Sequence, residues 1–129
     1  MGSLTLDTGA LIAADRGDRA FWAFWKASLD TERRIPAPVL AQAWRGPRNA
    51  RMARVIDACV VVPLDRELAH DVGELCGRTG TADVVDAAVA VVASRFGDDV
   101  VTGDTTDIGR LLAALGSRSA VRNLAELRP

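Results

Sequence analysis

The stretch Asp83–Phe96, DVVDAAVAVVASRF, constrains this chain more than any other. Its length and its alanines favour a helix over a strand, and that helix is apolar on nearly every side, so it must be buried. Something has to surround it, and the rest of the sequence offers strands for the purpose. Leu4–Leu6, Arg34–Ala37, Cys59–Leu64, Asp99–Thr102 and Val121–Leu124 all read as short strands. Helical patterns alternate with them: Ala10–Ala14, Asp18–Asp30, Pro38–Trp44, Arg48–Ala58, Asp65–Cys76 and Thr106–Leu115. Thr81 is the expected cap of the central helix, and Gly77–Gly80, Gly97 and Gly116 are the expected stops. Strands apolar on both faces and alternating with helices predict an α/β fold. The expected form is a three-layer α/β/α sandwich with a short, mostly parallel sheet of four or five strands.

A charge inside the central helix is the anomaly. Asp86 stands in VVDAAVAVVA, where a carboxylate is costly unless it meets a cation or several donors. Asp104 follows 18 residues later, directly after VVTG, and Asp7 ends the first strand. In open α/β sheets, groups at the carboxyl ends of the strands gather in one crevice. Asp7 and Asp104 should open into it, and Asp86, about one turn into its helix, can point there too. Carboxylates brought together repel and raise each other's pKa unless a cation is present. Hard oxygen donors without Cys or His nearby suit Mg²⁺, or Mn²⁺, rather than zinc. Such an ion has a natural task in bridging phosphate oxygens and activating a water for in-line displacement.

The charge distribution fits that task better than the total does. Net charge is −1, but six arginines and no acid lie between Arg33 and Arg54. Six aspartates and one base, Arg95, lie between Asp83 and Asp107. An acidic centre with an arginine-rich flank is a usable pairing for a metal site serving a polyanion, the arginines holding flanking phosphates.

A chain of 129 residues is expected to form one domain, residues 1–129. Charged residues interrupt every apolar run before it could span a bilayer, and the start of the chain lacks a secretory pattern. Cys59 and Cys76 have no His or Cys at metal-ligand spacing, so reduced, packed thiols in a cytoplasmic protein are expected.

Four segments, in order, resemble the PIN-domain ribonucleases of the VapC toxin type, and the likeness runs over nearly the whole chain. LTLDT carries Asp7 and Thr8, IPAPVLAQAWR carries Gln42, VVDAAVAVVA carries Asp86, and VTGD carries Thr102 and Asp104. The resemblance implies a metal-dependent endoribonuclease, the toxin of a toxin–antitoxin pair. Asp7, Asp86 and Asp104 would hold Mg²⁺ or Mn²⁺, and Asp7, Gln42, Asp86 and Asp104 would form the catalytic set. It further implies an RNA substrate, a homodimer, and an antitoxin peptide packed near the N-terminal helices. One position departs from the pattern, because the family usually has Glu where this chain has Gln42. An amide is neutral and cannot act as a base, though it can orient a water. Asp83, or Asp107, could partly replace the missing charge.

Blander roles compete for the same residues. Asp7 can cap the helix after it, Asp83 suits a helix N-terminus by its charge, and Asp107 reads as a first-turn acid. Phe21, Trp22, Phe24 and Trp25 form a core stripe wide enough that part of it could meet a partner. For Arg45, Arg48 and Arg51 a solvated helix face is the simpler reading, with RNA contact expected of the group. His70 reads as a surface residue. A PIN-like domain that binds RNA or protein without cutting is the competing reading, motivated by Gln42. A phosphoryl-accepting receiver domain is set aside, since it needs a lysine at its acidic pocket and the one lysine, Lys26, lies in the aromatic helix.

Overall fold

A computed structural model describes residues 2–129. Five strands pair in parallel in the order β3-β2-β1-β4-β5. They are β1 (Leu4–Leu6), β2 (Arg33–Pro36), β3 (Val60–Val62), β4 (Asp99–Thr102) and β5 (Val121–Asn123). The helices are α1 (Thr8–Asp15), α2 (Arg19–Ala27), α3 (Ala37–Ala43), α4 (Ala50–Asp57), α5 (Arg66–Thr79), α6 (Val84–Phe96) and α7 (Thr105–Ala114). The chain leaves β1 toward β2 and β3, then crosses back to β4 and β5. Right-handed crossovers therefore put α1–α4 on one face and α5–α7 on the other. The expected α/β/α sandwich is what forms, with every strand parallel. Among the described residues no helix is long and apolar enough to cross a membrane.

The direction of travel reverses between β1 and β4, which pair along Leu4↔Asp99 to Leu6↔Val101. At such a switch point the two connecting chains diverge to opposite faces and leave a crevice at the carboxyl ends of the strands. Asp7 leaves β1 there, and Gly103 and Asp104 leave β4.

The central helix behaves as its composition requires. Every residue from Ala87 to Ala93 in α6 is buried, against β1, β2 and β4 on one side and α5 and α7 on the other. Its cap differs from expectation. Asp83 caps α6 by accepting the Asp86 N–H at 3.0 Å, while Thr81 Oγ1 accepts the Asp83 N–H at 3.1 Å. A carboxylate is at least as good a cap as a hydroxyl and gains from the helix dipole. Asp86 consequently lies in the first turn rather than a full turn inside, and so faces the crevice without crossing the core.

Among the other boundaries that moved, two have clear local causes. α1 starts at Thr8, ahead of the expected Ala10, because the Asp7 carboxylate accepts the Ala10 N–H at 2.9 Å. α5 runs through Gly77 to Thr79 and ends at Gly80, whose φ of +73° closes the helix. A solvated helical glycine costs only about 1 kcal/mol against alanine, less than a broken helix would. In α2, Phe21, Phe24 and Trp25 join the core, Trp22 is half-buried, and Leu29 beyond the helix end is exposed. Cys59 and Cys76 are free and half-buried.

At the amino ends of the strands lies a closed polar cluster. Asp98 is fully buried and accepts from Arg34 Nη1 at 2.6 Å, Thr5 Oγ1 at 2.8 Å and the Ser3 hydroxyl. The Arg34 guanidinium also lies 4.0 Å from the Phe96 ring centroid and reaches Glu32 at 3.2 Å. Asp99 pairs with Arg122 at 3.0 Å beside it. Two of the six aspartates that gave the sequence its acidic centre are therefore at the wrong end of the sheet to share in it.

Candidate functional site

Each carboxylate at the crevice is positioned by a helix start. Asp7 is the N-cap of α1, Asp86 lies in the first turn of α6, and Asp104 is the N-cap of α7, accepting the Asp107 N–H at 3.3 Å. Three helices from both faces thus begin at one place, and their positive ends favour negative charge there. The capping role of Asp7 and its place at the crevice coexist, since Oδ1 serves Ala10 and a carboxylate has a second oxygen.

One oxygen each from Asp86, Asp104 and Asp107 lie within 4.8 Å of one another. Asp7 falls outside this tight set and sits deeper, at 5 % exposure. Burial pushes its pKa up, opposed by the Thr102 hydroxyl and the Ala10 amide, and the charge of Asp104 pushes it further up. Burial also raises the Asp86 pKa, with the charges of Asp83, Asp104 and Asp7 adding to the rise, to about 7. The four crevice aspartates have no ion pair with a basic side chain among the described residues. Three oxygens at this spacing, with no Cys or His among them, make a donor set that fits a hard divalent cation.

A Cβ on Gly9 would stand 3.4 Å from Asp7 Oδ1 and 3.4 Å from Leu124 Cδ1, at the edge of ordinary contact.

Gln42 reaches the rim from α3. It is exposed, and its Oε1 accepts the Thr8 hydroxyl at 2.6 Å. Thr8 therefore ties α1 to α3 rather than orienting a carboxylate. Thr102 is buried, and its Oγ1 accepts the Asp104 N–H at 2.8 Å, which shapes the turn that presents Asp104.

Of the residues singled out from sequence, the structure brings Asp86 and Asp104 together, with Asp7 behind them and Gln42 at the edge. Asp107 is the expected first-turn acid, and it also brings an oxygen within 4.8 Å of those of Asp86 and Asp104. Its spacing from Asp104, three residues on at a helix start, was the available signal, because the cap and the residue at N3 share one end of a helix. The arginine flank is smaller than its sequence suggested. Arg33 and Arg34 are buried at the amino ends of the strands, Arg33 stacked 3.6 Å from the Trp25 centroid and donating to the Trp25 carbonyl at 3.0 Å. They can hold no phosphate. Arg45, Arg48, Arg51 and Arg54 keep exposed positions on or before α4. Arg51 and Arg54 line a groove of about 540 Å³ with Trp22, Trp25, Lys26 and Leu29. His70 is exposed on α5 and belongs to no site.

No protein-family model matches this chain, and no curated protein matches it by sequence. Solved structures do match it in fold. A chain of the VapBC2 complex from Rickettsia felis, bound to a promoter DNA fragment, superimposes with a TM-score of 0.69 at 13% identity, covering 93% of this chain and 97% of that one. A chain of DNA-bound VapBC from Salmonella typhimurium gives 0.69 at 18% identity, covering 96% and 99%. A toxin–antitoxin complex from Klebsiella pneumoniae gives 0.65 at 17% identity, covering 97% and 100%. Matching length and matching topology together identify the fold as PIN-like.

Proposed function

We propose that this PIN-like chain is a metal-dependent endoribonuclease and the toxin half of a toxin–antitoxin pair. One observation carries the reading: Asp86, Asp104 and Asp107 bring oxygens within 4.8 Å of one another, and among the described residues none of them pairs with a basic side chain. Carboxylates so arranged repel one another, and a divalent cation would relieve that repulsion. Asp86 and Asp104 would hold Mg²⁺ or Mn²⁺ directly, with Asp7 behind them adding charge from a fixed position. When bound, the ion would supply Lewis-acid activation of a water and charge neutralisation at the leaving oxygen. The residues' own work is positional. Asp83 fixes the start of α6 and so the aim of Asp86, Thr102 sets the turn of Asp104, and the Ala10 amide holds Asp7.

Exposed Arg45 and Arg48, ahead of α4, would offer counter-charge to an RNA strand. The antitoxin partner is supported by the assemblies among the structural neighbours. The groove of Trp22, Lys26, Leu29, Arg51 and Arg54 between α2 and α4 is a suitable seat for its peptide. A homodimer is part of the same proposal, by the resemblance of the chain to its family.

Cleavage of RNA by the purified chain with Mg²⁺ or Mn²⁺, lost in EDTA and in Asp86→Asn, is the expected result. Equal cleavage by Asp86→Asn would end the assignment. Gln42 favours a second reading, a PIN-like domain that binds RNA or a protein partner without cutting. No cleavage by the native chain, with activity gained in Gln42→Glu, would select it.

A further inference from the structure

We propose that Gln42 is a hydrogen-bond donor to a phosphate of the bound RNA rather than a metal ligand, an inference that rests on the nuclease reading above. The argument is one of hydrogen-bond accounting. An amide side chain has one acceptor oxygen and one NH₂ group with two donors. The Thr8 hydroxyl donates to Oε1 of Gln42 at 2.6 Å, so the oxygen is engaged by the protein. That contact turns the donor end the other way, and no protein acceptor takes a hydrogen bond from Nε2 among the described residues. The residue is exposed on α3, bonded to Thr8 beside Asp7, and α3 packs against α6, the helix that carries Asp86.

Chemistry then separates Gln from Glu at this position. A carboxylate could accept the same hydroxyl bond, but its second oxygen would repel a phosphate arriving at the rim. The amide presents N–H to that phosphate instead. The charge that the substitution removes is supplied by Asp86, Asp104 and Asp107, which already converge. Gln42 is thus a substrate-binding residue, with Thr8 as the residue that orients it.

The test uses the full chain carrying Asp86→Asn, so that RNA is not consumed, and a labelled single-stranded RNA oligonucleotide in Mg²⁺. Adding Gln42→Ala should weaken RNA binding about tenfold, the worth of one hydrogen bond to a charged group. Adding Gln42→Glu should weaken it more, and raising the salt should shrink the excess loss as like-charge repulsion is screened. Thr8→Val, which frees the amide to rotate, should fall between the parent and Gln42→Ala. Mn²⁺ affinity, measured by calorimetry without RNA on chains with native Asp86, should be unchanged by Gln42→Ala. Unchanged RNA binding in both Gln42 variants, or RNA binding strengthened by Gln42→Glu, would overturn the proposal and leave the nuclease reading standing. A parent that binds no RNA at all would overturn both at once, and only that outcome reaches the nuclease reading.

Discussion

The same strands carry aspartates at both ends, and the two groups are treated in opposite ways. At the amino ends Asp98 is fully buried, yet two hydroxyls and the Arg34 guanidinium meet its oxygens. At the carboxyl ends Asp86, Asp104 and Asp107 face one another, with Asp7 behind, and among the described residues none of them pairs with an arginine or lysine. Burial alone does not separate them, since Asp104 and Asp107 are exposed and Asp98 is not. What differs is whether the countercharge is built into the chain. One end holds the fold together, and the other, on the proposed reading, would take its countercharge from a bound ion.

The largest expected effect comes from removing the built-in cation. Arg34→Ala leaves Asp98 buried against two hydroxyls with no positive partner. Breaking a buried pair from one side costs about 3–5 kcal/mol. The midpoint of urea unfolding should drop accordingly with little change in slope. A shift under about 1 kcal/mol would mean that the hydroxyls alone satisfy Asp98, and the contrast between the two ends would lose its main support.

At the other end the sign should reverse. Asp86→Asn removes a charge that its neighbours repel, so in EDTA the variant should unfold no more easily than the native chain, and later at neutral pH. Its cleavage should fall at least about a hundredfold, and the rise in melting temperature on adding Mg²⁺ should shrink with it. Loss of stability on a par with Arg34→Ala would show that Asp86 is a structural residue.

pH sharpens the same contrast. The Asp86 pKa is raised from 3.8 to about 7, and that of Asp7 is raised too, burial being the largest cause in both. A carboxyl whose folded pKa exceeds its unfolded value favours the fold in its protonated form. Its contribution is fully present below about pH 4 and is lost as pH rises through about 7. In EDTA the native chain should therefore lose stability relative to Asp86→Asn between those limits. With Mg²⁺ present that relative loss should be reduced, because the ion takes the place of the proton. A difference between the two proteins that stays flat across this window would sink the idea that the charge of Asp86 is strained.

These two ends were unequally legible in the sequence. The layers of the sandwich followed from the period of the apolar residues, and Asp7, Asp86 and Asp104 stood out because charge interrupted apolar runs or ended strands. Asp98 gave no such signal, since it falls between the stop at Gly97 and the strand that begins at Asp99. Its partner Arg34 lies 64 residues away, and only the parallel pairing of β1 with both β2 and β4 brings them together. For the same reason Arg33 and Arg34 could be mistaken for phosphate contacts: a one-dimensional count of arginines carries no information about which end of a strand each occupies. Asp83 and Asp107 differ again, because both are near helix starts, where a cap, a dipole charge and a metal ligand look alike until the neighbouring helix is placed.

The smallest expected effect tests whether pairing or burial sets the scale at the amino ends. Asp99 adjoins Asp98 in the chain and also has an arginine, Arg122 on β5, at 3.0 Å. The side chains are 25% and 47% exposed, so water competes for both. Their coupling in a double-mutant cycle with alanine should come to about 0.2–1 kcal/mol and fall in high salt. Asp99→Ala alone should cost somewhat more than the coupling, because Oδ1 also accepts the Ala120 N–H at 3.1 Å at the entrance to β5. If the Asp99–Arg122 coupling matched that of Asp98 with Arg34, an arginine within reach would be enough to make an aspartate structural. The weaker value expected here makes exclusion of water the deciding condition, and at the carboxyl ends neither that condition nor the arginine is met for Asp104 and Asp107.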